Sequence, residues 1–162
     1  MSAGAVATEG PHTSAKRESG PRESWGGVAT VLLAVAACGA PRHVEVRDLR
    51  AFEAIKGGTG ALFATITNPT DSAERLDSVT SPAASHISAH TSREENGLVV
   101  MSEMTDLSIG AHDSLVFAPG AAHLMFEDLP AALTAGDTVA VTFWFHRAGA
   151  MPVMAHVRRY GS

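Results

Sequence analysis

The sequence predicts an all-β fold in which short antiparallel strands pack face to face as a sandwich. Many short runs rich in β-branched and aromatic residues alternate apolar with polar side chains. Glycine, proline and asparagine separate these runs at intervals of roughly eight to twelve residues, which is typical of β-sandwiches. We find no segment whose apolar residues form the stripe expected of a stable amphipathic helix.

Taken in order, the expected strands occupy residues 44–46, 61–67, 76–80, 86–91, 98–101, 107–109, 114–117, 123–126, 139–145 and 153–160. The clearest alternation lies in residues 61–67, where Leu62, Ala64 and Ile66 share one face of a half-buried strand. Residues 139–145 repeat this pattern with valine and phenylalanine at alternate positions. We see no internal repeat, so the pattern indicates one β domain.

A hairpin is predicted at Asn96-Gly97, the dipeptide that most strongly favours a two-residue β-turn. Counting outward from that turn pairs Ser92 with Met101 on the neighbouring strand. His90 is then a diagonal neighbour of Met101 on the same face, within reach of a long side chain.

A second pair of donor side chains lies on a later strand, where His123 and Met125 point to the same face because side chains alternate. Neutral imidazole suits copper, zinc or nickel, whereas thioether sulfur is a soft ligand that suits Cu(I). Calcium and magnesium prefer oxygen. If the two strands meet at one end of the sandwich, His90, Met101, His123 and Met125 would form a site that favours monovalent copper.

Residues 1–37 are predicted to be a lipoprotein signal peptide. The apolar run at residues 25–37 is too short for a permanent membrane span but fits the hydrophobic region of a signal peptide. The small residues before the single cysteine, Cys38, resemble a bacterial lipobox, so we expect Cys38 to be lipidated. The alternatives are an ordinary signal peptide or an uncleaved anchor with an incidental cysteine. Residues 38–42 would then be a lipidated tether, and residues 43–162 the folded domain.

Composition excludes several classes of function. The net charge is −5 and the isoelectric point is about 5.9, which disfavours a nucleic-acid partner. With Cys38 acylated no thiol remains, so a thiol redox pair and a blue-copper electron carrier are both excluded. No arrangement of nucleophile, base and acid stands out, and we therefore expect a protein that is not an enzyme.

The spacing H-x10-M-x21-H-x-M, formed by His90, Met101, His123 and Met125, resembles the signature of the periplasmic copper chaperone family called PCuAC. The segments at residues 60–68, 77–84 and 119–125 are similar to that family too, and the likeness covers roughly residues 43–157.

This resemblance implies a cupredoxin-like, immunoglobulin-like β-sandwich that binds one copper ion, mainly as Cu(I) and alternatively as Cu(II). It also implies delivery of that copper to the CuA centre of cytochrome c oxidase; the alternative recipient is another copper chaperone. Together with the lipobox it implies an extracytoplasmic protein, periplasmic or on the cell surface, that a lipid anchors to the bacterial cell membrane. The alternatives are a copper buffer that confers tolerance and a metal-free sandwich that binds another protein.

Three further residues are candidates for weaker copper contacts. His86 shares a strand face with His90 and would supply an extra nitrogen, for example to Cu(II); the alternative is a histidine at the rim of the site. Met154 and His156 repeat the thioether and imidazole pair near the C-terminus. Their alternative is a final strand with a methionine in the core.

Overall fold

The computed structural model describes residues 43–160, and this part of the chain is built entirely from β-strands and their connections. The ten strands are β1 (Glu45–Phe52), β2 (Gly60–Asn68), β3 (Glu74–Thr80), β4 (His86–Glu95), β5 (Leu98–Glu103), β6 (Ser108–Ile109), β7 (Asp113–Phe117), β8 (Ala122–Glu127), β9 (Thr138–Phe145) and β10 (Gly149–Arg158). The all-β prediction is confirmed. Between residues 43 and 160 there is no helix long and apolar enough to cross a membrane. The predicted leader (residues 1–37), Cys38 and the tether (residues 38–42) lie outside the described residues.

The strands follow one hydrogen-bonded path in the order β5-β4-β8-β2-β1-β10-β9-β3-β6, and β7 pairs with β2 beside β8. The predicted sandwich is not purely antiparallel, because β1 and β10 run parallel, with Phe52 opposite Arg158. Parallel neighbours need a long connection, and here the whole domain supplies it, since the two strands are the first and the last. A bulge at Asp48, whose φ is 52°, interrupts the pairing of β1 with β2.

A single apolar core lies inside the folded sheet. Its largest fully buried apolar side chains come from strands and loops throughout the domain, namely Phe117, Phe126, Phe143, Leu62, Ile66, Ile109, Leu124, Leu129 and Val141. On β8 the buried residues alternate with partly exposed ones, so Leu124 and Phe126 point inward. The other face of β8 is therefore free to carry polar or metal-binding side chains.

The predicted β4–β5 hairpin is confirmed. Asn96 and Gly97 form its turn with φ values of 53° and 78°, as a two-residue turn with two left-handed residues requires. The resulting register places Ser92 opposite Met101.

Glu74 at the start of β3 is a buried carboxylate that fastens the turn between β9 and β10. It accepts hydrogen bonds from the backbone N–H groups of Arg75 (2.8 Å), Arg147 (3.0 Å) and Ala148 (2.9 Å). Burial raises the pKa of Glu74, but these three donors and the Arg147 charge outweigh it, and the net pKa lies below its ordinary value of 4.5.

Replacing Glu74 with glutamine should lower the free energy of unfolding near neutral pH by about 1–3 kcal/mol, because a buried set of N–H donors loses its charged acceptor. Since the folded pKa is lowered, the carboxylate stabilises the domain fully above pH 4.5 and loses this effect as the pH falls through the folded pKa. Glu74→Gln should therefore lose less stability than the wild type when the buffer is acidified below pH 4.5, as measured by urea unfolding.

Glu45→Gln is the matched control, because Glu45 is a surface carboxylate paired with Arg47. Such surface pairs contribute about 0–1 kcal/mol, so this variant should retain the acid response of the wild type. Identical acid responses in the two variants would contradict the role assigned to Glu74.

Candidate metal centre

The candidate site is built on the pairing of β4 with β8. In this register His90 lies opposite His123, and Ser88 lies opposite Met125. The rings of the two histidines stack, with their centroids 6.0 Å apart and their planes inclined by 23°. Ala89, the residue between Ser88 and His90, points to the core and is buried. Alternation thus puts two imidazoles and one thioether on the outer face of the same strand pair.

The second thioether comes from β5, which continues the sheet beyond β4. Met101 lies opposite Ser92, two residues along β4 from His90, and it is 54% exposed. The predicted diagonal relation of His90 and Met101 is therefore present in the register. No residue of β5 is buried, so Met101 lies on a strand that contributes no buried side chain to the core.

An open cleft of about 380 Å³ joins these donors. Met101, His123 and Met125 line it together with Ser92, whereas His90 adjoins it through the stacked ring of His123. The structure thus brings three predicted residues to one cleft and the fourth directly beside it.

Three aromatic residues also line the cleft and form an aromatic wall, namely Phe52, Phe63 and Tyr160. Phe52 makes edge-to-face contacts with both other rings, at centroid distances of 5.5 Å in each case. Phe52 and Phe63 are buried, but Tyr160 is 75% exposed. The cleft therefore combines soft donors with an aromatic surface.

A hydrogen bond to the backbone orients the His123 ring. Its Nδ1 lies 3.1 Å from the carbonyl oxygen of Ala121. A carbonyl oxygen only accepts hydrogen bonds, so Nδ1 carries the proton and Nε2 keeps its lone pair. Metal-binding histidines are commonly held in this way through the nitrogen that does not bind the metal.

The His90 ring has side-chain partners instead. Its Nε2 lies 2.8 Å from the Ser88 hydroxyl, which in turn donates a hydrogen bond to the Glu127 carboxylate. Nε2 is also 4.0 Å from a Glu127 oxygen. Ser88 is buried, so these contacts form below the exposed surface of the site.

The remaining candidates lie away from the cleft. His86 is exposed and pairs with Glu127 in the sheet, and Ser88 separates it from His90 along the same face of β4. Met154 and His156 are exposed on β10, which β1 and β2 separate from β8. Met154 is therefore a surface residue and not the core methionine that the alternative interpretation expected.

Within residues 43–160, no group of three or more histidine, cysteine, aspartate or glutamate side chains is arranged to hold a metal. The cleft differs from such clusters because its donors include two methionines. A site of this composition suits a soft cation better than a hard one.

Sequence reasoning missed Ser88, Glu127 and the aromatic wall. The alternation of His86, Ser88 and His90 on one strand face was a usable signal for Ser88. The position of Glu127 follows only from the register of β4 with β8, and the position of Tyr160 only from the parallel pairing of β1 with β10.

Comparison with known proteins identifies a family and a relative that match most of the described residues. Residues 44–157 match the family model described as "Putative lipoprotein LpqE-like". A protein of Leifsonia xyli subsp. xyli, named "Putative lipoprotein Lxx21020", is 31% identical over 109 residues. That match covers 67% of this chain and 66% of the relative, just under two thirds of the relative's length.

Solved structures with the same fold include a copper-bound PCuAC domain and the Cu(I) form of another protein. The copper-bound PCuAC domain from PmoF2 superposes with a TM-score of 0.61 at 18% identity, covering 72% of this chain and 92% of that domain. The Cu(I) form of DR1885 from Deinococcus radiodurans gives a TM-score of 0.60 at 24% identity, covering 80% of this chain and 88% of that protein. The likeness to the PCuAC family inferred from the sequence is confirmed for the fold, and the family match shows that the chain belongs to the LpqE-like lipoprotein family.

Proposed function

We propose that this protein is an extracytoplasmic copper chaperone that carries one Cu(I) ion on His90, Met101, His123 and Met125. The observation that supports this most strongly is one open cleft lined by Met101, His123 and Met125, with the His90 ring stacked on that of His123. Two nitrogens and two sulfurs form a donor set that favours Cu(I) over hard cations. The copper ion is the cargo of the protein, and no chemical turnover is required.

The exposure of the donors favours transfer over storage. Met101 is about half exposed, and the His90 side chain is 21% exposed. An approaching protein therefore has access to the metal and can replace these ligands one at a time, so that copper need not be released into water. The copper-bound forms of the PmoF2 domain and of DR1885 support copper as the cargo.

The recipient that we propose is a membrane cuproenzyme, in the first instance the CuA centre of cytochrome c oxidase. The lipoprotein family and the lipobox at Cys38 support attachment to the outer face of the cell membrane. Tethering donor and recipient to one membrane raises their effective concentration, which makes weak and transient docking sufficient.

The ligand assignment predicts sulfur in the copper shell. X-ray absorption of the Cu(I)-loaded protein should show mixed nitrogen and sulfur scattering, and Met101→Ala should reduce the sulfur amplitude because it removes one of two thioethers.

Met154→Ala is the matched control for this measurement, because Met154 is 57% exposed and Met101 is 54% exposed. It should leave the sulfur amplitude unchanged. A shell of nitrogen and oxygen alone would contradict the assignment, and a sulfur loss confined to Met154→Ala would move the site to β10.

The delivery role predicts a copper-dependent oxidase defect. A strain that lacks this protein should lose cytochrome c oxidase activity in low copper and regain it with the wild-type gene. His123→Ala should fail to restore activity, whereas His112→Ala, which changes an exposed turn histidine paired with Asp71, should restore it. Normal oxidase activity combined with sensitivity to high copper would instead indicate the buffer function.

The membrane attachment is testable separately. Cys38→Ala should move the protein from the membrane fraction to the soluble fraction, because it removes the residue proposed to carry the lipid. A variant that remains with the membrane would contradict lipidation at Cys38 and favour an uncleaved anchor.

A further inference from the structure

Ser88 is a buried hydroxyl placed between a histidine and a carboxylate. Its Oγ contacts the Nε2 of His90 at 2.8 Å and donates to Oε1 of Glu127. Ser88 is 7% exposed, so water has little access to replace either partner. Both contacts must therefore be satisfied by the one proton that the hydroxyl carries and by its lone pairs.

The protons in this group of three side chains can be assigned by elimination. An ionised carboxylate only accepts hydrogen bonds, so the Ser88 proton lies on the side of Glu127. The Ser88 oxygen is then an acceptor toward His90, and the ring must donate from Nε2. In a neutral imidazole the other nitrogen carries the lone pair, so Nδ1 of His90 is the nitrogen that remains free to bind a metal.

His123, which faces His90, is hydrogen-bonded through its other ring nitrogen, Nδ1. The Ala121 carbonyl engages Nδ1 of His123, which leaves Nε2 as its free nitrogen. The two rings lie opposite each other in the sheet, with centroids 6.0 Å apart. The two stacked histidines thus have different nitrogens free to bind a metal. The Ser88 and Glu127 side chains orient the His90 ring, whereas a backbone carbonyl orients the His123 ring.

We propose that Ser88 and Glu127 are positioning residues for His90, and that copper binds through Nδ1 of His90 and Nε2 of His123. This inference rests on the proposed function for the identity of the cargo, but the tautomers that it assigns belong to the copper-free protein. In this role Ser88 and Glu127 act through the ring that they hold.

Long-range proton–nitrogen NMR of the purified full-length protein tests the assignment directly, because protonated and bare imidazole nitrogens have distinct ¹⁵N shifts. The copper-free wild type should show His90 protonated at Nε2 and His123 protonated at Nδ1. Cu(I) is diamagnetic, so the same spectrum recorded after loading should show the metal shift at Nδ1 of His90 and at Nε2 of His123.

Two variants should change the His90 ring in different ways. Ser88→Ala removes the acceptor of the Nε2 proton, so His90 should lose its tautomer preference, and Cu(I) affinity should fall about 10- to 100-fold. Glu127→Ala leaves the hydroxyl but frees its proton to point at His90, which should shift the ring toward the Nδ1-protonated form. A purely structural role for these residues would not produce two distinct tautomer changes on one ring, a lost preference in one variant and a reversed preference in the other.

Ser114→Ala and Glu94→Ala are the matched controls. The Ser114 hydroxyl donates to Thr67 on the surface, and Glu94 is an exposed residue of β4. Both variants should keep the tautomers and the affinity of the wild type when Cu(I) binding is measured by competition with a chromogenic chelator. Far-ultraviolet circular dichroism establishes that all four variants retain the β fold.

Three results would overturn the inference: His90 protonated at Nδ1 in the copper-free wild type, metal shifts at Nε2 of His90, or Ser88→Ala with unchanged tautomer and affinity. If the wild type binds copper normally, any of these removes the positioning role and leaves the proposed function standing. Failure of the wild type to take up Cu(I) removes both.

Discussion

The register between β4 and β8 is the constraint on which the candidate site depends. It sets His90 against His123 on the outer face while Ala89, Leu124 and Phe126 are buried on the inner face. Side chains alternate along a strand, so a slip of one residue would turn the histidines inward and the apolar residues outward. Burying a leucine or phenylalanine side chain stabilises the fold by about 1.5–3 kcal/mol, so the core opposes such a slip strongly. The positions of these histidines are thus fixed by buried apolar residues on the opposite face of the same strands.

The same division into faces explains why the polar groups of the site have defined partners. Ser88 and the two histidines lie on strands whose other face is apolar. A buried polar group without a hydrogen-bond partner would lower the stability of the fold. Among the described residues, every buried side-chain nitrogen and oxygen has a hydrogen-bond partner. Asn68 illustrates this elsewhere in the domain, since its fully buried amide bonds the carbonyl oxygens of Ser72 and Gly110. Because the buried polar groups of the site have hydrogen-bond partners in the absence of a metal, these hydrogen bonds need not rearrange when a bound metal leaves.

Local patterns in the sequence predicted the parts of the site that lie close together along the chain. Asn96-Gly97 fixed the hairpin and with it the pairing of Ser92 with Met101, because turn chemistry determines the register over a few residues. The role of Glu127 required the register of two strands that no tight turn connects, and hairpin rules do not determine it. Tyr160 joins Phe52 only because the first and last strands run parallel, a contact that depends on packing of the whole domain. Neighbouring donors were therefore predictable from the sequence, whereas the side chains that support them and the aromatic wall of the cleft were not.

The four proposed ligands differ in how firmly the fold holds them, and this difference suits a carrier. His90, His123 and Met125 stand on β4 and β8, both of which contribute buried side chains to the core. Met101 stands on β5, which has no buried residue and, among the described strands, pairs only with β4. Segments with few buried contacts open at low free-energy cost. In the proposed function, Met101 would be the ligand that a side chain of the recipient displaces first, while the other three would keep the copper bound until the recipient has supplied ligands of its own.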